Sequence, residues 1–182
     1  MRIISGKYKG KVLKEFALAS TRPTADMVRE ALFDKIGVQT NGAIFLDLFS
    51  GTGAVGIEAL SRDAKLCYFN DSNYEAIKLI KNNLNLIDTK NYVIFNLDYK
   101  SLLKKLSKDN IKFDLIFIDP PYATNFAEDA INLIIGKELL NNNGLIVWEH
   151  DAEKIDYIQN NFDNFQTKKY GKKYLTYIFN IK

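Results

Sequence analysis

From Ala43 onward, short apolar runs alternate with stretches whose apolar residues recur every three or four positions. The runs AIFLDLF (43–49), KLCYF (65–69), YVIFNLD (92–98), FDLIFID (113–119) and GLIVWEH (144–150) read as strands, several of them nearly continuous in apolar side chains. Strands of that kind are covered on both faces, as in a parallel sheet. Between them, GIEALSR, NYEAIKLIKNNLNL, YKSLLKKLS and NFAEDAINLIIG carry helical spacing, with Ile77, Ile80, Leu84 and Ile87 marking one such face. Strand and helix in strict alternation imply right-handed crossovers and an α/β fold, an open, mostly parallel, doubly wound sheet. Ligands of such sheets bind outside the carboxyl ends of the strands.

The two ends of the chain break this rhythm. FQTKKYG and YLTYIFNI, separated by Lys172 and Lys173, predict a C-terminal antiparallel hairpin. RIISGKYKGKVLKEF, interrupted by Gly6 and Gly10, predicts a second hairpin at the start. Thr24 follows Pro23 and is placed to cap a helix with Val28, Leu32 and Ile36 on one face. Asn141 to Asn143, followed by Gly144, read as a turn before a strand. The division expected is a hairpin-and-helix extension over 1–41 and a ligand-binding core over 42–182.

A chain of 182 residues is one domain with a small appendage, and 47% hydrophobic with 26% charged residues excludes disorder. The longest apolar run is four residues, which excludes a helical membrane span, and no apolar stretch follows the basic N-terminus as in a secretory signal. A cytoplasmic location is the expectation. One cysteine, Cys67, and one histidine, His150, leave no internal disulfide, no Cys/His zinc cluster and no two-histidine relay. Chemistry then falls to carboxylates, backbone groups or an organic cofactor, with no metal expected. Cys67, Trp148 and His150 read as packing residues. The net charge of +3 says little, but residues 1–40 hold eight Lys/Arg against four acids.

The sharpest local signal is LDLFSGTGAVGIEAL, where a strand ends in Asp47 and a glycine turn opens a helix. Gly51, Gly53 and Gly56 satisfy GxGxxG, and Asp71 lies twenty residues past Gly51, which a dinucleotide site would also show. Asp47 argues otherwise. A carboxylate before the turn suits a cationic or amino-bearing ligand better than a pyrophosphate. The fourth strand ends in Asp119, Pro120, Pro121 and Tyr122, where two prolines fix a carboxylate and a carbonyl as acceptors beside an aromatic face.

FSGTGAVGIEALSR together with DPPY resembles the class I methyltransferases that use S-adenosylmethionine to modify exocyclic amino groups. With RIISGKYKGKVL, RPTADMVREALFDKI and VWEH, the match narrows to the RsmD family, covers nearly the whole chain and implies a Rossmann-like core. Members of that family methylate N2 of a guanine in small-subunit, 16S ribosomal RNA. The resemblance implies that Asp47, Gly51 and Gly53 hold the methionyl end of the cofactor, with Phe49, Ser50, Thr52 and Tyr99 in the same site. It gives Asp98 the adenine amino group. The usual ribose-binding Glu falls on Phe69 here, leaving the ribose to Asn70 or Asp71. Asp119 and the Pro120 carbonyl would accept the target amine's hydrogens, next to Pro121, and Tyr122 would stack on the flipped base.

Arg2, Lys7, Lys9 and Lys11, with Tyr8 among them, form a candidate phosphate-gripping arm that Arg22 and Arg29 extend towards the active-site edge. An ordinary solvated basic hairpin is the plain alternative. The expected partner is 16S ribosomal RNA, within a small subunit or an assembly intermediate, bound by a monomer with no membrane contact. Rival readings are a DNA amino methyltransferase, whose target-recognition insertion is not visible, and a non-catalytic RNA-binding assembly factor. A nicotinamide-dependent oxidoreductase lacks an assignable substrate domain.

Overall fold

The computed structural model describes residues 1–16, 23–121 and 124–179, and of residues 23–25 the backbone alone. Helix α1 (Pro23–Thr40) precedes β1 (Ile44–Asp47), α2 (Ala54–Ser61), β2 (Leu66–Asn70), α3 (Tyr74–Leu84) and β3 (Tyr92–Phe95). Then come α4 (Tyr99–Lys108), β4 (Phe113–Ile118), α5 (Phe126–Gly136), β5 (Leu140–His150), α6 (Ile155–Asn161), β6 (Phe165–Tyr170) and β7 (Lys173–Phe179). The seven strands form one sheet in the order β3-β2-β1-β4-β5-β7-β6. The first five in that order run parallel, and β7 lies antiparallel between β5 and β6. The expected doubly wound sheet and closing hairpin are both present. Pro23 opens α1, where its missing N–H costs nothing; the side chain of the expected cap, Thr24, lies outside the described residues.

Successive strand residues feed opposite faces, so the sheet divides two cores. Phe45, Leu115 and Val147 pack on one side with Phe33, Ile57 and Phe69. Leu46, Ile116 and Trp148 pack on the other with Leu103, Ile131 and Ile158. Cys67 is buried in the first core, where burial pushes its thiol well above the ordinary range. Trp148 is buried in the second, and His150 is held between the Asp151 carbonyl at 2.6 Å and Thr176 Oγ1 at 2.7 Å. Burial also lowers the imidazole pKa, which fits a packing residue.

Two elements depart from the pattern-based expectation. The asparagine run is not a turn but part of β5, which begins at Leu140 opposite Phe113. A register shift at this point, with Asn143 at φ 67°, absorbs extra residues so that Leu145 meets Leu115 in register. The chain reversal comes earlier, at Glu138 (φ 51°). The second departure is a 3-10 turn (Ala152–Lys154) running into α6, initiated by Asp151 accepting from the Glu153 N–H at 3.0 Å. With Ile158 its one buried residue, α6 has no apolar period for sequence reading to find.

The N-terminal segment pairs as the expected hairpin, with Ile3 N donating to the Lys11 carbonyl at 3.0 Å, Gly10 N to the Ile3 carbonyl at 2.9 Å and Leu13 N to the Met1 carbonyl at 3.0 Å. Arg2 and Val12 form a single antiparallel bridge, while Ile3 and Leu13 enter the same core as Phe45 and Ile57. The described parts of the N-terminal segment and α1 therefore share one hydrophobic interior with the glycine-turn helix. The polar anchor is Glu58, fully buried on α2, whose two oxygens accept from Ile4 N at 2.8 Å and Ser5 N at 2.9 Å. Arg62 Nε donates to the same carboxylate at 2.9 Å, and Arg29 Nε lies 3.9 Å away. Lys7 N–H donates to the Ser61 carbonyl at 2.8 Å, an approach that requires a glycine at position 6. A Cβ there would stand 1.8 Å from that carbonyl oxygen, and φ is +81°.

Removing a buried carboxylate strands a buried guanidinium and two backbone donors. Glu58→Ala is expected to cost about 3–5 kcal/mol, read as a lowered urea midpoint at unchanged slope. A loss below about 1 kcal/mol, the level of an exposed pair, would show that the junction adds nothing.

Candidate active site

The strand order reverses between β1 and β4, and the loops leaving their carboxyl ends diverge there into a crevice. Asp47 ends β1 and Asp119 follows β4, so both carboxyls face this opening. The turn after Asp47 is fixed by backbone bonds. Ser50 N donates to the Asn70 carbonyl at 2.8 Å, Asn70 N donates to Ser50 Oγ at 3.0 Å, and Gly53 N donates to the Ser50 carbonyl at 2.7 Å. Gly51 and Gly53 have φ of +52° and +79°, conformations that only glycine adopts without strain. Gly56 serves packing instead, since a Cβ there would come within 2.3 Å of the Phe69 ring.

Helix α2 begins at Gly53, which has no side chain to cap it. Asp47 fills that role from the preceding strand, Oδ2 accepting from the Gly56 N–H at 3.0 Å. The helix N-terminus thus favours the anion while burial opposes it. Burial wins: the Asp47 carboxyl is pushed up to about 7, with smaller repulsions from Asp119 and Asp71.

Two compartments open around this turn and share Phe49, Gly51 and Asp119. The larger, about 510 Å³, has an aromatic wall in which the rings of Phe49 and Tyr99 lie 5.6 Å apart and those of Tyr99 and Phe126 5.3 Å apart. Asp71 and Asp98 stand along the same cleft. The smaller, about 220 Å³, is lined by Asp47, Thr52, Phe117, Asp119 and Glu149, with Arg29 and Met1 closing it from the N-terminal side. A Cβ on Gly51 would meet no protein atom within 4 Å, so the space above the turn is open to a ligand.

The expected cofactor residues are brought together, with different duties. Asp71 Oδ2 accepts from Gly51 N at 2.9 Å and Oδ1 from Asn73 N at 2.8 Å, so this acid holds the turn while bordering the cleft. Asn70 is buried, and its amide bonds the Leu48 and Leu97 carbonyls and the Leu97 N–H, which ties three strand ends together. Both expected ribose candidates border the cleft, Asn70 buried and Asp71 partly exposed. Asp98 caps α4 by accepting from Ser101 N at 3.0 Å, and those hydrogen bonds lower its carboxyl pKa. Phe69 lies in the core, away from the cleft.

Asp119 sits where the two compartments meet, with Pro120 and Pro121 beside it. Burial pushes its carboxyl up to about 6, moderated by the Lys173 ammonium. Tyr122 and Arg22 lie outside the described residues. Of the expected RNA-binding residues, Arg2, Lys7, Lys9 and Lys11 are exposed on the arm, with Lys7 and Lys11 flanking the Tyr8 ring at 5.2 and 5.9 Å. Arg29 is placed otherwise. It is 4% exposed and donates to the Arg2 carbonyl at 2.5 Å and to Asp26 at 3.0 Å, so it braces the arm from behind.

Sequence reading missed Glu149, Lys173 and Asn83. Glu149 stands one residue before the end of the strand next to Asp119, so the rule that ligands sit near strand ends could have found it. Asn83 donates to the carbonyls of Lys14 (3.0 Å) and Thr52 (2.9 Å), joining the arm to the glycine turn, and nothing local in its helix marks it.

A protein family described as "Conserved hypothetical protein 95" matches residues 1–179. The chain belongs to this family. Its relatives include Bacillus subtilis (strain 168) YlbH, 42% identical over 154 residues that make up 84% of each chain. A ribosomal RNA small subunit methyltransferase D from Haemophilus influenzae is 34% identical over 85% of this chain and 80% of its own. Among solved structures, the Thermus thermophilus protein TTHA0928 superposes with a TM-score of 0.83 at 28% identity, covering 98% of both chains. These relatives bear out the RsmD-family resemblance and the methyltransferase fold.

The donor set fits the cofactor of such enzymes: a buried carboxylate for an ammonium, an open glycine turn, and an aromatic-walled cleft bordered by two acids. An ammonium seated on Asp47 requires the carboxylate form. Affinity for S-adenosylhomocysteine should therefore rise as pH rises through about 7, with proton release on binding below that pH. Calorimetry in buffers of different ionisation enthalpy measures the release, which Asp47→Asn should remove; a pH-independent affinity would detach Asp47 from the ammonium.

Proposed function

We propose that this protein transfers a methyl group from S-adenosylmethionine to the exocyclic N2 amino group of a guanine in 16S ribosomal RNA. The observation that carries the reading is Asp119, a half-buried carboxyl at the junction of a nucleoside-sized cleft and the smaller compartment that Asp47 and Glu149 also line. The cofactor supplies an electrophilic methyl on a sulfonium, and Asp47, Gly51, Asp71 and Asp98 would hold it. RNA partnership rests on the exposed cations of the arm and on the family's rRNA methyltransferases. Among the described residues, no helix is long and apolar enough to cross a membrane.

The amine lone pair of guanine is delocalised into the ring and is a poor nucleophile. Asp119 raises its reactivity by accepting an N–H hydrogen, which orients the remaining lone-pair density and offsets positive charge as the C–N bond forms and the S–C bond breaks. One N2 proton must then leave. With its pKa lifted by burial, Asp119 is a better proton acceptor than an exposed aspartate. Pro120 and Pro121 stiffen the backbone next to it, and holding amine and methyl in line is worth about 7–11 kcal/mol when the geometry is well set.

Asp119→Ala should abolish methyl transfer to small-subunit particles from a strain lacking the enzyme while leaving S-adenosylhomocysteine affinity nearly intact. Tritium counting with nucleoside analysis reads both the rate and the product. Near-normal turnover, or a product other than N2-methylguanosine, would sink the assignment.

The arm gives an independent test. Replacing Arg2, Lys7, Lys9 and Lys11 with neutral residues should raise KM before lowering kcat. Each phosphate that the arm no longer neutralises should flatten the logarithmic salt slope of RNA binding by about 0.7–0.9. An unchanged slope would make the arm solvated surface.

A further inference from the structure

The acceptor at Asp119 explains how an amine is held but not why the amine should be guanine's, since adenine and cytosine carry exocyclic amines too. On the reading that Asp119 binds the target amine, we propose that Glu149 and Lys173 read the rest of the guanine edge. Glu149 accepts the ring N1–H, and Lys173 donates to O6.

Strands β4 and β5 run parallel with Ile118 opposite Trp148, so Asp119, the residue after β4, lies beside Glu149, which is still paired within the sheet to Leu175 of β7. Both line the smaller compartment. Lys173 opens β7 on the far side of β5, and its ammonium lies 3.5 Å from Glu149 Oε1. The side chains of Lys173 and Glu149 are 20% and 15% exposed, sheltered yet reachable. Lys173 also draws down the Asp119 carboxyl, while burial and the Asp119 charge push Glu149 up, so the three groups act on one another. Two carboxylates brought together at a sheet edge repel each other, and a lone structural ion pair would be cheaper without the second acid.

The order of groups matches one base. Going round the ring from the amine, guanine offers a donor at N1 and then an acceptor at O6. Adenine offers an acceptor at N1, and cytosine acceptors at N3 and then O2. A glutamate that has lost its proton only accepts and a lysine ammonium only donates, so the pairing needs Glu149 in its ionised form, above its raised pKa of about 8. The sequence acid, acid, ammonium therefore pairs with guanine at all three places. Adenine or cytosine would put an acceptor against Glu149, and mismatches of this kind discriminate strongly in a water-poor site.

The test compares guanosine 5′-monophosphate with 2-aminopurine riboside 5′-monophosphate, which keeps the amine but has an acceptor at N1 and no O6. Both are bound to the full chain saturated with S-adenosylhomocysteine. The unaltered protein should prefer guanosine by about tenfold or more, as expected for hydrogen bonds to charged groups. Glu149→Gln, whose amide can donate to N1, should shrink that preference to within about threefold at unchanged S-adenosylhomocysteine affinity. Lys173→Met should weaken guanosine and leave 2-aminopurine riboside nearly untouched; it carries the test alone should Glu149→Gln lose the homocysteine ligand. No preference in the unaltered protein, or an equal loss for both nucleotides in the variants, overturns the proposal. Methyl transfer to small-subunit particles separates the two claims. Transfer to guanine N2 without nucleotide preference overturns the edge reading alone, whereas no transfer to RNA overturns the proposed function.

Discussion

The buried carboxylate of Glu58 is the constraint from which the rest of the molecule takes its shape. It sits on α2, the helix that grows out of the glycine turn, and it satisfies two backbone N–H groups of the N-terminal segment together with Arg62. A charge buried this deeply survives only when its lone pairs are filled, and these partners come from separate stretches of chain. The N-terminal segment is therefore fastened to the same helix whose first turn faces the cofactor cleft. Arg29, bonded to the Arg2 carbonyl, adds a brace from α1 and also borders the smaller compartment.

The second organising feature is the use of strand ends in place of ordinary caps. Gly53 must take a left-handed conformation for the turn and so cannot cap α2; Asp47 does so across the turn. The same requirement explains why an acid stands in an otherwise apolar strand. Burial that would be a liability for a structural acid becomes useful at a binding edge, because an incoming cation recovers what desolvation took. Asp119 and Glu149 repeat the arrangement one and two strands over, and Lys173 supplies the countercharge. The crevice is thus acidic where it meets the sheet, with Lys173 and Arg29 as nearby cations, while Lys7 and Lys11 of the arm lie by Asp63 and the Leu86 carbonyl, beyond the carboxyl ends of α2 and α3.

How much of this is legible in the sequence differs from residue to residue. Gly51, Gly53, Asp47 and Asp119 can be read because each occupies a position set by local geometry, at a strand end or in a tight turn. The asparagine run cannot, because a strand with a bulge and a turn share the same composition, and the pairing of Leu140 with Phe113 decides between them. Asn70 looks like a ribose ligand by family resemblance, but its amide spends its bonds on the Leu48 and Leu97 backbone. Arg29 looks like a surface cation because it follows a basic N-terminal segment, and its burial depends on Glu58 and Asp26, one of them on a different helix.

By itself the sequence determined the α/β alternation, the glycine turn, the acids that end the first and fourth strands, and the closing hairpin. Each is written in a period of two or 3.6 residues, or in the backbone freedom of glycine and proline, which act over a few neighbouring positions. Only the tertiary structure decided that the N-terminal segment shares the main core, that Asn83 ties it to the glycine turn, and that Glu149 and Lys173 flank Asp119. Those relations join residues far apart in the chain, through a shared core, a helix side chain, and strands of both directions that the sheet brings to one edge. No local pattern encodes which side chains will meet there.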